Sequence, residues 1–441
     1  MDTGDTAWIL TSAALVLLMT PGLALFYGGM TRSKGVLNMM MMSFGSLGLI
    51  SVLWVLYGYS IAFGNDVGGG LLGNPVEFLG LAGLMVDDPD AGLPAMAFVA
   101  FQMVFAILTT ALISGAIADR TKFSTWMVFA GIWATVVYFP VAHWVFAFSD
   151  EEAGITGGWI ASGIEAIDFA GGTAVHINAG AAALALTFVL GKRKGFAPGA
   201  HRPHNLPLVM LGAGILWFGW FGFNAGSALA ADNTAAVVVV NTLCATGAAI
   251  LGWLVTERIR DGHPTSLGAA SGVVAGLVAI TPACSSVSPV GAMVLGVIAG
   301  VVCALAVGLK YTLGYDDSLD VVGVHLVGGL IGTILIGVLA DPDAPAGAAG
   351  LLFGGGGGGL LLVQTIGAVA VLAYSFVLTL IIGFALKATM GFRIEEDHED
   401  AGIDQHQHAE AGYDFGAIGS GSGVRRPAAA RTSTNDAEVS S

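Results

Sequence analysis

Two histidines stand out because they lie in apolar segments that hold almost no other ionisable side chain. They end the runs Asp168-Phe-Ala-Gly-Gly-Thr-Ala-Val-His176 and Asp320-Val-Val-Gly-Val-His325. A neutral imidazole donates at one ring nitrogen and accepts at the other, so two adjacent rings can pass a proton or line a polar path. A buried polar group in such a segment is costly, which makes both histidines functional candidates. The alternative is two unrelated histidines, each bonded to a backbone carbonyl.

No arrangement of side chains indicates an enzyme or a metal site. A zinc site needs three or four ligands, and no cysteine or glutamate accompanies the two histidines in a suitable place. The three cysteines are widely spaced and read as small apolar core residues: Cys244, Cys284 and Cys303. We therefore predict no metal, no cofactor and no catalytic residues.

Aromatic residues cluster in two apolar segments. Phe101 and Phe105 are four residues apart and share a helix face, whereas Trp220 and Phe223 lie in a second segment together with Ser227. Ring faces attract cations, including ammonium types, without a counter-charge. Such a cluster can form a cage for a small cation, which suits apolar segments that hold no carboxylate. The alternative is packing in the core or against lipid.

Asp168 stands at the mouth of the segment that contains His176, just before Gly171 and Gly172. A carboxylate at the start of a helix can cap free backbone amides. Direct binding of a cation is the second possibility.

Membrane-spanning helices must position these side chains. Hydrophobic residues make up 55% of the 441 residues and charged residues only 11%, and the mean hydropathy is +0.80. A soluble fold of this size could not cover its surface with so few charges. Uncharged apolar stretches predict eleven spans, at about 7–29, 36–63, 93–118, 123–147, 171–190, 207–229, 234–256, 266–282, 289–311, 320–340 and 358–390.

The distribution of charge predicts the orientation of these spans. Basic residues follow the odd-numbered spans, whereas the connections after the second and fourth spans hold acids instead, among them Asp66, Glu77 and Asp87. Basic connections stay in the cytoplasm, so the N-terminus is expected outside and the C-terminus inside. The net charge of −15 excludes a general nucleic-acid-binding protein.

The fold class predicted is an all-α integral membrane protein built from two inverted five-helix repeats and a final helix. Because five is an odd number of crossings, the second copy begins on the opposite side of the membrane and is inverted, as in many transporters. Each copy carries one of the two histidines. Residues 1–390 form the membrane domain. Residues 391–415 are a cytoplasmic segment, and the polar, Gly/Ser-containing residues 416–441 are expected to be disordered. The default expectation for His406 and His408 is a solvated tail.

The segment 168–180 resembles the signature of the ammonium transporter family (Amt/Mep/Rh), and the whole chain is most similar to its microbial Amt branch. Four more segments are similar to family motifs: Phe101-Gln102-Met-Val-Phe105-Ala, Gly219-Trp220-Phe221-Gly222-Phe223-Asn224-Ala-Gly226-Ser227, Thr281-Pro282-Ala283-Cys284 and Asp320–His325. The resemblance implies a homotrimer in which each protomer has its own pore.

The resemblance also implies roles for single residues. Phe105 and Phe223 correspond to a stacked gate, and His176 and His325 to the twin pore histidines. Asp168 corresponds to an acid that is chiefly structural and needed for transport. The outer site that recruits ammonium would consist of Ser227, Phe105, Phe146 and Trp220. Phe146 stands where the family usually has tryptophan, which presents a stronger face to cations.

The function implied is ammonium transport across the cytoplasmic membrane. Ammonium would bind outside, give up its proton, and cross the apolar pore as ammonia along the histidines, because a bare cation there is costly. The resemblance further implies that a PII-type signalling protein docks on the cytoplasmic face. Two alternatives stay open: an ammonium sensor that signals through its tail, and an Rh-like channel for another neutral gas.

Overall fold

The computed structural model describes residues 2–86, 92–354 and 358–413, and the regular structure of these residues is helical apart from isolated bridges. Eleven apolar helices, α1 to α11, follow the predicted spans: Thr3–Met30, Val36–Phe63, Ala95–Ile117, Phe123–Phe146, Gly172–Leu190, Leu206–Gly226, Asn233–Asp261, Ser266–Ile280, Pro289–Leu313, Val322–Leu339 and Gly359–Thr389. Ten of them are long enough to cross a membrane, and α8 is shorter. The predicted tail 416–441 and Asp87 lie outside the described residues.

Two short helices, α12 (Glu396–Ala401) and α13 (Ile403–His408), follow the last long helix. They belong to residues 391–413, which we call the tail segment. This segment contacts the connections that follow α1, α3 and α5, through Lys34, Lys122 and Lys194. These connections carry half of the 16 lysines and arginines, so we call this end of the helix bundle the basic end. The opposite end, where the connections after α2 and α4 meet through Asp66 and Thr156, is the acidic end.

Glycines allow the long helices to pack closely. A Cβ atom on Gly212 of α6 would lie 2.3 Å from the backbone nitrogen of Phe26 in α1, and one on Gly296 of α9 would lie 2.2 Å from the carbonyl oxygen of Ala245 in α7. Small residues at such crossings let two backbones approach, which is how helices associate in lipid. The high glycine content therefore serves helix packing.

The outer surface of the bundle is apolar. Large side chains such as Leu251, Leu362 and Ile381 are at least 60% exposed. An apolar surface of this extent requires lipid or a partner around it. The fold is that of a multi-pass membrane protein.

Four of the long helices contain a π-helical turn, a rare feature that often marks functional sites. In α4 the turn Ala134–Tyr138 precedes Pro140, which lacks an N–H donor inside the helix. In α5 and α10 the turns Gly172–Ile177 and Val322–Leu326 form the start of the helix and contain His176 and His325. The two candidate histidines thus occupy matching positions in their helices.

Candidate functional site

The two histidines meet inside the bundle. Nδ1 of His325 lies 3.2 Å from Nδ1 of His176, and the ring planes are inclined by 23°. Both side chains are buried. Because the contact joins two Nδ1 atoms, one ring must donate its proton and the other must accept it. Nε2 of His176 has no hydrogen-bond partner within the described residues and is available to a small polar molecule.

Glycine brings the helices of the two histidines together. A Cβ atom on Gly180 of α5 would lie 2.5 Å from the backbone nitrogen of Leu326 in α10. No side chain fits there, so α5 and α10 cross in direct backbone contact one turn from the histidines. The sequence shows the glycine but not the crossing that requires it.

Asp168 holds the start of α5. Its two carboxylate oxygens accept four backbone N–H groups, from Gly171 and Gly172 at 2.9 and 2.6 Å and from Thr173 and Ala174 at 2.8 and 3.0 Å. Four donors use both oxygens of a carboxylate, which leaves little capacity for a cation. Of the two possibilities for Asp168, this geometry favours the helix cap.

Asp317 caps α10 in the same manner, and the sequence analysis did not single it out. Its oxygens accept the N–H groups of Val321 and Val322 at 3.1 and 2.7 Å. Asp317 precedes His325 by eight residues, as Asp168 precedes His176. This repeated Asp-to-His spacing is the sequence signal that could have identified it.

Aromatic rings continue the site from the histidines toward the acidic end. The ring of Trp220 lies 5.4 Å from that of His176 with planes 18° apart, and Phe223 follows at 6.0 Å from the same histidine. Phe105 stacks on Phe223 at 4.1 Å and 22°. We call Phe105, Phe223, Trp220 and the two histidines the aromatic column. All of its side chains are buried, so a charge would find almost no water there.

Thr281 fixes the orientation of Trp220. The indole Nε1 donates to Oγ1 of Thr281 at 2.8 Å, and this hydroxyl in turn donates to the carbonyl of Leu277 at 2.7 Å. The Thr281-Pro-Ala-Cys motif therefore supplies a positioning residue for the column. Pro282 of the same motif lies against Gly172, where a Cβ atom would come within 2.4 Å of the proline ring.

Ser227 and Phe146 lie near the column but differ in their contacts. The hydroxyl of Ser227 is half-buried and donates to the carbonyl of Phe223 at 2.9 Å, which leaves its oxygen lone pairs available to accept. Phe146 is half-buried beside Gly171, where a Cβ atom would lie 3.5 Å from its ring. Across the described ranges, no ring contact joins Phe146 to Phe105 or Phe223.

A buried charge network occupies the basic end. Asp316 accepts three side-chain hydrogen bonds from Arg193, at 2.8, 2.9 and 3.3 Å. Its backbone carbonyl accepts one from the fully buried Arg120 at 2.6 Å. Burial alone would raise the pKa of Asp316, but the bonds from Arg193 and the charges of both arginines hold that pKa below its ordinary value. The network joins the connections after α3, α5 and α9.

The tail segment caps the ends of three long helices. Asp404 accepts the N–H groups of Leu37 and Asn38 at 3.0 and 2.8 Å, at the start of α2, whose own N-cap glycine has no side chain. Gln407 accepts the N–H of Phe123 at 3.0 Å, at the start of α4. Arg393 donates to the carbonyl of Leu190 at 3.2 Å, at the end of α5.

The default expectation of a solvated tail is wrong for His408. Its Nε2 lies 3.0 Å from Oδ1 of Asn38, and its ring packs edge-to-face on Phe123 at 5.1 Å. The physical reason is that α2 and α4 leave amide donors without partners at this end, and the tail segment supplies the acceptors and packs between them.

Comparisons with known proteins agree on one family. The Ammonium Transporter Family is matched over residues 7–413. The chain is 63% identical to a Mycobacterium tuberculosis (strain ATCC 25618 / H37Rv) protein named "Ammonium transporter", over 96% of this chain and 92% of that relative. A solved structure named "Sensor Amt Protein" superposes with a TM-score of 0.83 at 28% identity, covering 92% of this chain and 98% of that chain. Mep2 of Saccharomyces cerevisiae superposes with a TM-score of 0.81 at 34% identity, covering 90% and 88%.

Proposed function

The chain belongs to the ammonium transporter family, and from this premise we propose how the aromatic column moves ammonium across the cell membrane. The observation that carries the proposal is the 3.2 Å contact between His176 and His325, buried next to the stacked rings of Phe105 and Phe223. A proton-sharing pair in a dry apolar path suits a small molecule that both donates and accepts hydrogen bonds, as ammonia does.

The first step is recruitment at the acidic end. Ammonium binds near Ser227, whose oxygen accepts one of its N–H groups, and the faces of Phe105 and Trp220 stabilise its charge. Phe146 contributes from beside Gly171, as the outermost ring of the site. Phenylalanine attracts a cation less strongly than tryptophan, so recruitment is weaker than with tryptophan at this position.

In the second step ammonium gives up a proton to water at the acidic end, before ammonia enters the column. A bare cation inside the buried column would lose its water without gaining a counter-charge, which costs several kcal/mol or more. Neutral ammonia passes the rings of Phe105 and Phe223 when these rotate, and then bonds to Nε2 of His176. The shared proton between the histidines lets each ring donate or accept as ammonia moves along the pair.

Flux through purified protein tests this proposal. Proteoliposomes would be supplied with ammonium or labelled methylammonium while uptake and current are recorded. We expect His176→Ala and His325→Ala each to change the rate, or the ratio of ammonium to potassium flux, while His263→Ala, an exposed histidine, leaves both unchanged. Unchanged flux and selectivity in both pore variants would contradict the role of the histidine pair.

We also propose the arrangement in the membrane. The basic end faces the cytoplasm, in agreement with the distribution of basic residues. Helices α1–α5 and α6–α10 form two inverted repeats, which the matching caps of Asp168 and Asp317 support, and three copies form a homotrimer. Cysteine labelling from one side of the membrane tests the orientation, and mass determination in detergent tests the trimer.

A PII-type signalling protein is proposed as a partner at the basic end. The supporting observation is the docked tail segment, which together with the connections after α1 and α5 forms a polar surface of mixed charge. Three-fold symmetry of the transporter would offer three equal sites to a trimeric partner. Co-purification after ammonium shock, with the full chain and with a chain ending at residue 390, tests the idea. Transport that stays open in ammonium excess, with no partner bound to either chain, would refute it.

A sensor role is the second candidate, because the solved structure named "Sensor Amt Protein" is covered over 98% of its length. The flux measurement separates the two roles. A sensor would bind ammonium with no measurable flux, whereas a transporter shows saturable uptake.

A further inference from the structure

A polar cavity of about 380 Å³ lies at the basic end, away from the aromatic column. Its walls come from the connections after α1, α3 and α5 and from the tail segment. We call it the Asp119 pocket and define it by Arg32, Lys34, Asp119, Arg202 and Glu399, which line it together with neighbouring residues. Four separate parts of the chain meet at this cavity.

Asp119 gives the pocket a buried acceptor. Its side chain is 1% exposed, and neither carboxylate oxygen has a hydrogen-bond partner within the described ranges. The nearest cationic atoms are Nε of Arg32 at 3.5 Å and Nη1 of Arg193 at 3.6 Å. The two arginines compensate the charge of Asp119, but both distances exceed those of ordinary hydrogen bonds. Buried polar atoms are normally bonded, so this carboxylate calls for a donor within the pocket.

The backbone around Asp119 is also unusual. Its φ of +66° lies in the left-handed region that few non-glycine residues adopt. Gly35 packs against the carboxylate so closely that a Cβ atom there would lie 2.5 Å from Oδ1. Strain and close approach of this kind collect at ligand sites.

The rim of the pocket carries unpaired cations. Lys34 and Arg202 are exposed and make no ion pair with any described residue. The two acids of the tail segment that line the pocket are already engaged, since Glu399 pairs with Arg393 at 2.7 Å and Asp400 pairs with Lys194. The pocket therefore offers one carboxylate that lacks donors and two cations that lack acceptors.

We propose that the Asp119 pocket binds a small zwitterion, an acidic α-amino acid. The ammonium group of the ligand donates to Asp119, and its carboxylates bind Arg202 and Lys34. A simple anion would leave the Asp119 carboxylate without a hydrogen-bond donor, and a simple cation would leave Lys34 and Arg202 without an acceptor. Only a molecule that carries both charges satisfies both sides of the pocket.

The ligand would also hold the tail segment in place. Glu399 and Gly402 form one wall of the pocket, and the connections after α1 and α5 form others. A molecule bound between them joins these parts. This binding site lies at the end of the bundle opposite to the proposed recruitment site, and its occupancy does not depend on the proposed transport mechanism.

Isothermal titration calorimetry on the detergent-purified full chain tests the proposal with three probes. L-glutamate carries all the groups, glutarate lacks the ammonium group, and 4-aminobutyrate lacks the α-carboxylate. We expect saturable binding of L-glutamate and a Kd at least about tenfold higher for each of the other two, because each loses a charge-assisted hydrogen bond.

Variants locate the site. Asp119→Asn and Arg202→Ala should each raise the Kd for L-glutamate at least about tenfold. Gly35→Ala should also weaken binding, because the added methyl group displaces the carboxylate. Arg258→Ala, an exposed arginine that does not line the pocket, is the matched control.

Arg202 is exposed, so its variant keeps the test valid even if Asp119→Asn fails to fold. Three results would overturn the proposal: no saturable heat with L-glutamate at millimolar concentration, equal affinity for the three probes, or an unchanged Kd in Arg202→Ala.

Discussion

At the scale of single residues, the rings of Phe105 and Phe223 stack at 4.1 Å beside His176, where we propose the gate. In the proposed mechanism their faces exclude a hydrated ion, because neither phenylalanine ring carries a polar group that could replace the water of the ion. The histidines beyond them supply the only hydrogen-bonding groups of the aromatic column apart from the indole N–H, which Thr281 already accepts. Selectivity is therefore expected to arise at the rings, and conduction at the histidines.

Phe223→Ala tests this division. We expect the ratio of ammonium to potassium current to fall at least about tenfold, which corresponds to about 1.4 kcal/mol, because the variant removes one ring of the stack. Currents from proteoliposomes measure the ratio. Phe218→Ala is the control, since this ring lies on the same helix but is 57% exposed on the outer surface. Equal ratios in wild type and Phe223→Ala would disprove the gate.

At the scale of helices, caps set where α5 and α10 begin, and hence where the histidines lie. We expect Asp168→Asn to lower the free energy of unfolding by about 3 kcal/mol or more. The side-chain amide of asparagine would place an N–H donor against backbone N–H groups that donate to a charged oxygen in the wild type. Thermal unfolding in detergent, combined with flux, measures the effect. The control is Glu165→Gln, an exposed acid three residues earlier. A stable and fully active Asp168→Asn protein would show that the cap is dispensable.

The tail segment acts on helix ends in the same way. Asp404→Ala removes the acceptor for two amides of α2, and loss of such a cap costs about 0.5–2 kcal/mol. We expect faster hydrogen exchange across residues 391–413 and at the start of α2. Asp400→Asn, whose exposed ion pair with Lys194 contributes little, should leave exchange in α2 unchanged. Exchange that is identical in the Asp404 variant would mean that docking does not depend on this cap.

At the scale of the whole molecule, the network around Asp316 ties the connections of the basic end together. Asp316→Asn leaves Arg120 and Arg193 buried without their carboxylate, and breaking a buried pair of this kind costs about 3–5 kcal/mol. Asp261→Asn is the matched control, because its pair with Arg260 is about 40% exposed and should contribute about 1 kcal/mol or less. Thermal unfolding of both variants provides the comparison.

The pH dependence follows from the lowered pKa of Asp316. A depressed folded pKa means that this stabilisation is present above the unfolded value of about 3.9 and is lost as pH falls through the lower folded value. We expect the difference in stability between wild type and Asp316→Asn to shrink across that acidic window. A difference that stays constant down to the lowest pH would contradict the assignment.

The sequence by itself determined the membrane class and the positions of the helices. Long uncharged stretches must avoid water, and that property is local, so even the short helix α8 was predicted close to its observed bounds. The motifs also predicted His176, His325, Phe105 and Phe223 as site residues, and these four side chains lie together in the aromatic column.

Only the tertiary structure decided which atoms meet. The bonded histidines are 149 residues apart, and Asp404 caps a helix 366 residues earlier in the chain. Such contacts depend on how helices cross, and no local pattern encodes a crossing. The separation of Phe146 from the stacked rings and the lack of hydrogen-bond donors to Asp119 follow from the packing of distant segments, which composition and spacing do not specify.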